Sequence, residues 1–311
     1  MKIIFMGTSD FSVPALKCLI SSKYDIIGVF TKKPKKANRG QKISFSPIYK
    51  VAEENNLNIF TPPTFKNGKN IDLLRELKGD LIVVASYGLI LTKEVLDSVK
   101  YGAINIHPSL LPRWRGSAPI ERALLSDDEE TGVCIMKVEE GLDSGCIIKC
   151  ERIKIDKNTE IEPLSNHLSQ VGAKLLLEAI NDIEKSGKIA GVEQNEELVS
   201  VAEKITIDDA IINWNIDSVW EIYKKIRTLG GSVGIFINHK GNKIKILKAD
   251  FEQNNHDNTG KTATITNAKG FYIQCMDGIL KPLIVQREGK KQMNIKDFLN
   301  GYKIEDEDKI N

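Results

Sequence analysis

At 311 residues the chain exceeds what one small core needs and suits two domains, which cluster near ~100–150 residues each. Its 41% hydrophobic and 28% charged residues, with 23 Gly and 10 Pro, exclude the collagen-like, low-complexity and disordered classes. A net charge of +2 announces no polyanionic partner in bulk, so any nucleic-acid contact must come from local clustering. Continuous β-branched runs at 2–6, 25–30, 81–86 and 103–107 predict buried strands. The first run carries no small-residue cleavage pattern, so no signal peptide is expected. Ser46 before Pro47 suits an N-cap and first turn for a helix over 48–55, Thr92 a helix through 95–99, and Ser117 one near 118–125. Thr159 with Glu162 is a capping-box pattern opening a long helix to about Ile183, in which Leu164, Leu168, Val171, Leu175 and Ala179 recur at helical spacing. This alternation predicts an α/β class with a doubly wound, largely parallel, Rossmann-like sheet.

After Glu184 the pattern changes. The polar stretch 186–202 reads as a linker. A helix over 219–229, with Trp220, Tyr223 and Ile226 on one face, precedes strands at 233–238, 243–248, 262–267, 271–275 and 283–287. Turns at 240–242 and 276–278 make hairpins of them, and the set predicts a small OB-like β-barrel. The charged tail 305–311 is expected to fray. The expected domains are 1–185, a linker at 186–204, and 205–311. The most apolar run, 81–91, is broken by Ser86, Tyr87 and Gly88 and falls short of the ~20 residues that span a bilayer. Cysteines at 18, 134, 146, 150 and 275 are an odd set without Cys-x-x-Cys, which predicts a reducing, cytoplasmic setting with free thiols rather than a disulfide framework or zinc site.

Several stretches could carry chemistry. Gly7-Thr8-Ser9-Asp10 has a lone glycine, not Gly-x-Gly-x-x-Gly, so no dinucleotide site is expected, although ligands bind at that sheet edge in open α/β folds. Along Ile104-Asn105-Ile106-His107-Pro108 side chains alternate, so Asn105 and His107 share one face. An amide beside an imidazole at the end of a buried strand suits a developing oxyanion; equally, both groups can be satisfied by backbone. Gly141-Leu142-Asp143-Ser144-Gly145 either presents a carboxylate on a specially shaped loop or forms an isolated Asx-turn. Ser109-Leu110-Leu111-Pro112-Arg113-Trp114-Arg115-Gly116 is a loop with apolar anchors and cations. Between Thr31 and Phe45 stand Lys32, Lys33, Lys35, Lys36, Arg39 and Lys42 with no Asp or Glu, while Pro34 and Gly40 favour a loop. Such a run is a solvated face or an RNA contact.

Taken together, Asn105-x-His107, Ser109-Leu110-Leu111-Pro112 with Gly116, and Asp143 between its glycines resemble the folate-dependent formyltransferase family. Phe5, Phe11 and Pro14, Tyr87-Gly88-Leu89-Ile90-Leu91, Trp114 within 111–119, Glu130 to Met136, Asn213-Trp214, Asp277-Gly278 and the segment 289–301 are similar to the branch acting on initiator methionyl-tRNA. The resemblance implies transfer of the formyl group of 10-formyltetrahydrofolate, a co-substrate, to the α-amino group of methionine on initiator tRNA, without a metal. It implies Asn105 and His107 at the formyl oxygen and its oxyanion, with Asp143 orienting His107 and assisting proton removal from the amine. Ser86, Tyr87, Gly88, Leu89, Ile90 and Leu91 would line the pterin pocket, with Ser109, Leu110, Leu111 and Pro112 also at the folate. The basic loop would meet the acceptor end of the tRNA, Arg39 falling on the family's Arg-Gly position, and the β-barrel would bind tRNA in a monomeric protein. The chain departs from the pattern at Gly230–Gly234, where a Pro/Trp turn is usual, and at Cys146, Thr92 and Ser9-Asp10, none of them in the trio. Rivals are an amino-sugar-nucleotide N-formyltransferase, a formyl-folate hydrolase, and a catalytically inert tRNA-binding protein.

Overall fold

The computed structural model describes residues 1–37, 42–66, 68–254 and 262–311. They form two compact units, the first of Met1–Ile120, Glu129–Ile155 and Glu162–Ala202, the second of Glu121–Asp128, Asp156–Ile161 and Glu203–Asn311. Residues 186–202, read from sequence as a linker, lie within the first unit up to Ala202. Among the described residues no helix is long and apolar enough to cross a membrane.

The first unit holds a seven-stranded sheet ordered Ile147–Lys154, Glu130–Lys137, Ala103–His107, Leu81–Ala85, Lys2–Gly7, Asp25–Phe30, Ile59–Phe60. From Ala103–His107 to Ile59–Phe60 the neighbours are parallel, and the two strands on the other flank are antiparallel. Ile3, Ile4, Phe5, Leu81, Ile82 and Val83 are wholly buried, as continuous apolar runs require when both faces of a sheet are covered. The chain works outward from Lys2–Gly7 through Asp25–Phe30 and returns to Leu81–Ala85 on the opposite flank. That reversal opens a crevice beyond the carboxyl ends of these strands, the place where open α/β sheets bind ligands.

Local signals mostly act as read. Ser46 caps Pro47–Glu54 by accepting from the Tyr49 N–H. The helix Ile161–Ser186 buries the Leu164, Leu168, Val171, Leu175 and Ala179 stripe. The Thr159 capping box does not form: the Thr159 hydroxyl instead bonds Asp156 Oδ1 and accepts the Asp156 N–H, closing a turn ahead of the helix. A Ser/Thr hydroxyl competes equally well for such local partners. The helix after Thr92 is only Lys93–Leu96. The expectation of five free thiols is corrected at Cys134–Cys150, which form a disulfide because the antiparallel register sets them directly opposite, with Cα atoms 4.1 Å apart. Cys18, Cys146 and Cys275 are free.

In the second unit an antiparallel sheet runs Ile235–His239, Asn242–Gln253, Gly278–Arg287, Tyr272–Cys275, Thr264–Asn267, with Met293–Asn294 on Gly278–Arg287. Lys240-Gly241 turn the first hairpin, both at positive φ, as a type I′ turn demands. The helix Val219–Leu229 carries a complete Ser218/Glu221 capping box and packs Val219, Ile222, Ile226 and Leu229 into the sheet's isoleucine-rich core. The tail does not fray. Its Lys309 and Ile310 bridge Thr264 and His239, joining the two edge strands and completing the barrel. Unpaired edge groups find partners there, which outweighs the charge of the segment.

Candidate active site

Asn105 and His107 stand at the carboxyl end of Ala103–His107 on one face, while Ile104 and Ile106 are buried on the other. His107 is 3% exposed, and its Nε2 lies 2.9 Å from the Trp114 carbonyl oxygen. A carbonyl can only accept, so Nε2 carries the proton and Nδ1 is left facing Asp143 Oδ2 at 3.6 Å. That distance is too long for a direct hydrogen bond and short enough for charge coupling. The ring is thus oriented by Trp114 rather than by Asp143. The Asn105 carboxamide is half-buried and has no protein hydrogen-bond partner among the described residues.

Asp143 sits in a loop between Glu130–Lys137 and Ile147–Lys154 at φ +46, a left-handed conformation that is rare for non-glycine residues. Its Oδ2 accepts the Gly116 N–H at 2.9 Å. Gly145 is needed because a Cβ there would collide with the Lys137 carbonyl, and Gly116 because φ is +128 and a Cβ would lie 2.7 Å from the Ala202 oxygen. Burial and the nearby Glu193 carboxylate push the Cys146 thiol up, so it stays protonated and offers no nucleophile.

At the sheet's reversal, Ser86 at φ +46 and Gly88 at φ +74 turn the chain out of Leu81–Ala85. Thr8 Oγ1 donates to the Tyr87 carbonyl, tying this turn to the one after Lys2–Gly7. Ser86, Gly88 and Ile90 are exposed and Leu89 is half-buried, while Tyr87 and Leu91 point into the core. Burial pushes the Tyr87 phenol up, and its hydroxyl has no partner among the described residues. Ser109 is buried with its hydroxyl donated to the Arg113 carbonyl, and Leu111 packs on Cys134 and Met136. Leu110 and Pro112 are half-buried. These side chains brace the loop, and its backbone is tied down as well, the Arg113 N–H donating to the Leu110 carbonyl and the Ser200 N–H to that of Pro112.

Lys32, Lys33 and Lys35 are exposed at the start of the basic segment, which contains a short ladder of Lys35–Ala37 against Lys42–Ser44 rather than a plain loop. Lys36 and Lys42 occupy paired positions in that ladder. Arg39 lies outside the described residues. Sequence reasoning missed Gln194 altogether and counted Arg115 only as a cation. Gln194 Nε2 donates to the carbonyls of Asp143 and Gly145, each at 2.8 Å, and its Oε1 accepts from Arg115 Nε at 3.0 Å. No periodicity or motif in the polar stretch 186–202 signals this.

Two family models match the chain: formyl transferase over residues 1–180, and formyl transferase, C-terminal domain, over 204–303. The chain is 40% identical over 304 residues to a methionyl-tRNA formyltransferase of Orientia tsutsugamushi, covering 98% of each chain. It is 43% identical over 303 residues to that of Wolbachia sp. subsp. Drosophila simulans, with 97% of each covered. Among solved structures, an N-formyltransferase from Helicobacter canadensis has the same fold at TM-score 0.67 and 20% identity, covering 91% of this chain and 99% of the other. The sugar 3N-formyl transferase WlaRD matches at TM-score 0.66 and 20% identity, with 94% and 99% covered. With matched models across both halves and full-length relatives at this identity, the chain belongs to the formyl transferase family.

Proposed function

We propose that this chain transfers the formyl group of 10-formyltetrahydrofolate to the α-amino group of methionine on initiator tRNA. The observation that carries the reading is the meeting of an unpartnered carboxamide, a fixed imidazole and a carboxylate at Asn105, His107 and Asp143, in a chain 40% identical to a methionyl-tRNA formyltransferase. Residues 86–91 would hold the pterin through their turned-out backbone, and the formyl-folate supplies the acyl group when bound. The methionine nitrogen attacks the formyl carbon, a C–N bond forms, and the bond from that carbon to the folate nitrogen breaks. Asn105 donates to the formyl oxygen as negative charge gathers there. His107, with Nε2 committed to Trp114, couples through Nδ1 to Asp143, and this pair takes the proton the amine releases, directly or through one water. A proton returns to the folate nitrogen as it leaves.

For the RNA, Lys32, Lys33 and Lys35 offer exposed ammonium groups beside the crevice strand Asp25–Phe30. In the second unit, Phe236 is 42% exposed with Lys243 Nζ 4.2 Å from its ring centroid, an aromatic and basic face suited to nucleotides. The test is an assay of formyl-methionine with formyl-folate and charged initiator or elongator tRNA. Formylation of the initiator is expected. Transfer only to an amino-sugar nucleotide, release of formate without an acceptor, or tRNA binding without turnover would each install a rival.

A further inference from the structure

We infer that Gln194, on a strap formed by residues 192–202, is a positioning residue that holds Asp143 in its working conformation; the inference rests on the formyl-transfer reading above. The strap runs along the site and touches it at several points. Val192 bridges Ile147 at the base of the Asp143 loop. Gln194 then grips the loop itself through the carbonyls of Asp143 and Gly145. Ser200 Oγ accepts the Trp114 N–H at 3.0 Å, the Ser200 carbonyl accepts the Arg115 N–H at 2.9 Å, and Val201–Ala202 pairs in parallel with Arg115–Gly116. The strap therefore fixes both loops that supply the partners of His107: Trp114, which accepts from Nε2, and Asp143, which faces Nδ1.

Within the strap, the Gln194 amide has both its donors and its oxygen engaged. Both Nε2 hydrogens go to carbonyls and Oε1 accepts from Arg115. Flipping the amide would set an oxygen against two carbonyl oxygens, so its partners dictate its orientation. Arg115 is in turn 7% exposed and held by a bidentate pair to Glu196, with N···O distances of 3.2 and 2.8 Å. Asp143 occupies a left-handed conformation that persists only where surrounding contacts over-determine it. Gln194 holds the carbonyl of Asp143 itself and that of Gly145, two residues further along the same loop. Releasing them lets the backbone relax and carries the carboxylate away from Nδ1 without removing any group that touches substrate.

The experiment compares Gln194→Met, which keeps the side chain's length and shape but loses the donors, and Gln194→Glu, which faces the carbonyls with acceptors only. Both are made in the intact chain and again with Asp143→Asn. Displacement of a reacting group by about 1 Å costs on the order of 10²-fold, so kcat should fall ~10- to 100-fold. KM for formyl-folate and for tRNA should stay within about twofold, since neither is bound by Gln194. In the Asp143→Asn background the Gln194 change should have no further effect, because the carboxylate it positions is already gone. Amide hydrogen exchange across 141–146 should accelerate in Gln194→Met, a readout independent of turnover. Full kcat in both variants, a multiplicative loss on top of Asp143→Asn, or unchanged exchange would overturn the inference. Failure of the unmodified chain to formylate methionyl-tRNA would instead overturn the reading beneath it, and the exchange result would still judge the strap.

Discussion

His107 is fixed by the fold before any substrate arrives, because a backbone carbonyl, not a titrating side chain, commits its Nε2. On the proposed reading this separates the roles at the residue scale: Trp114 sets the ring, and Asp143 would serve as proton acceptor on the Nδ1 side. Asp143→Asn should keep the fold, since an amide oxygen can still accept the Gly116 N–H, while formylation slows by roughly 10²–10⁴-fold, the usual range for a lost general base. A thermal melt with single-turnover rates at saturating tRNA checks both halves, and near-normal turnover would remove Asp143 from the chemistry. Asn105→Ala should slow the same step by on the order of 10²–10³-fold as the donor to the oxyanion is lost, and His107→Ala by roughly 10²–10⁴-fold as half of the proton-accepting pair goes. Strand alternation puts Asn105 and His107 on one face and bracketing glycines single out Asp143, but the family resemblance alone joined the three, and the fold sets Asp143 Oδ2 3.6 Å from His107 Nδ1. Trp114's part was not legible in the sequence, since any residue offers a carbonyl and only the folded turn aims it. Gln194 was hidden for a related reason: both groups that accept from its amide are main-chain carbonyls, contributed by a loop about fifty positions earlier in the sequence.

At the scale of elements, strands and caps with one strong local solution were legible, and those decided by distant pairing were not. The parallel strands announce themselves by unbroken β-branched runs. Cys134–Cys150 depends on the register of two antiparallel strands, which composition does not encode. The basic segment was visible as charge, while its short ladder depends on pairing that charge cannot reveal. We expect its lysines to position RNA without reading it. Replacing Lys32, Lys33 and Lys35 together by Ala should weaken initiator and elongator tRNA alike, and reduce the salt slope by roughly 0.7–0.9 log units per lost phosphate contact. Arg39, identified from sequence, should behave differently, because a planar guanidinium can bond bidentately where an ammonium cannot. Arg39→Lys should erode the initiator preference at unchanged charge. Binding to a tRNA pair differing only at the first acceptor base pair measures both effects. Retention of the full preference and the full salt slope would return the segment to solvated surface.

At the scale of the whole molecule, each unit completes itself with chain that its neighbours in sequence do not supply. The first recruits the strap, and the second closes its barrel with the last residues of the chain, where a charged terminus would ordinarily be discounted. The closure is organised around Asp308. Its carboxylate accepts from His239 Nε2 at 3.0 Å and from the Glu305 N–H at 2.8 Å, and pairs with Lys240 at 2.7 Å, while His239 Nδ1 meets the Tyr302 hydroxyl at 2.9 Å. Burial alone would raise the Asp308 carboxyl, but Lys240, the Glu305 N–H and His239 outweigh it and hold it down at about 2, against an ordinary 3.8. Because the folded value lies below the unfolded one, the unfolded chain binds more protons in that interval. The closure's stability is therefore fully present above 3.8 and is lost as pH falls through the interval toward about 2. Other carboxylates titrate in the same range, so the informative quantity is the difference in Tm between the unmodified chain and Asp308→Asn. That difference should be constant from neutral pH to about pH 5 and shrink toward zero as the interval is crossed, since below it both chains carry a neutral group at this position. Exchange of the Ile265 and Ile310 amides, which pair the tail to the barrel edge, should rise in parallel. A difference that does not change down to pH 2 would mean that hydrogen-bond geometry, rather than the charge on Asp308, seals the barrel.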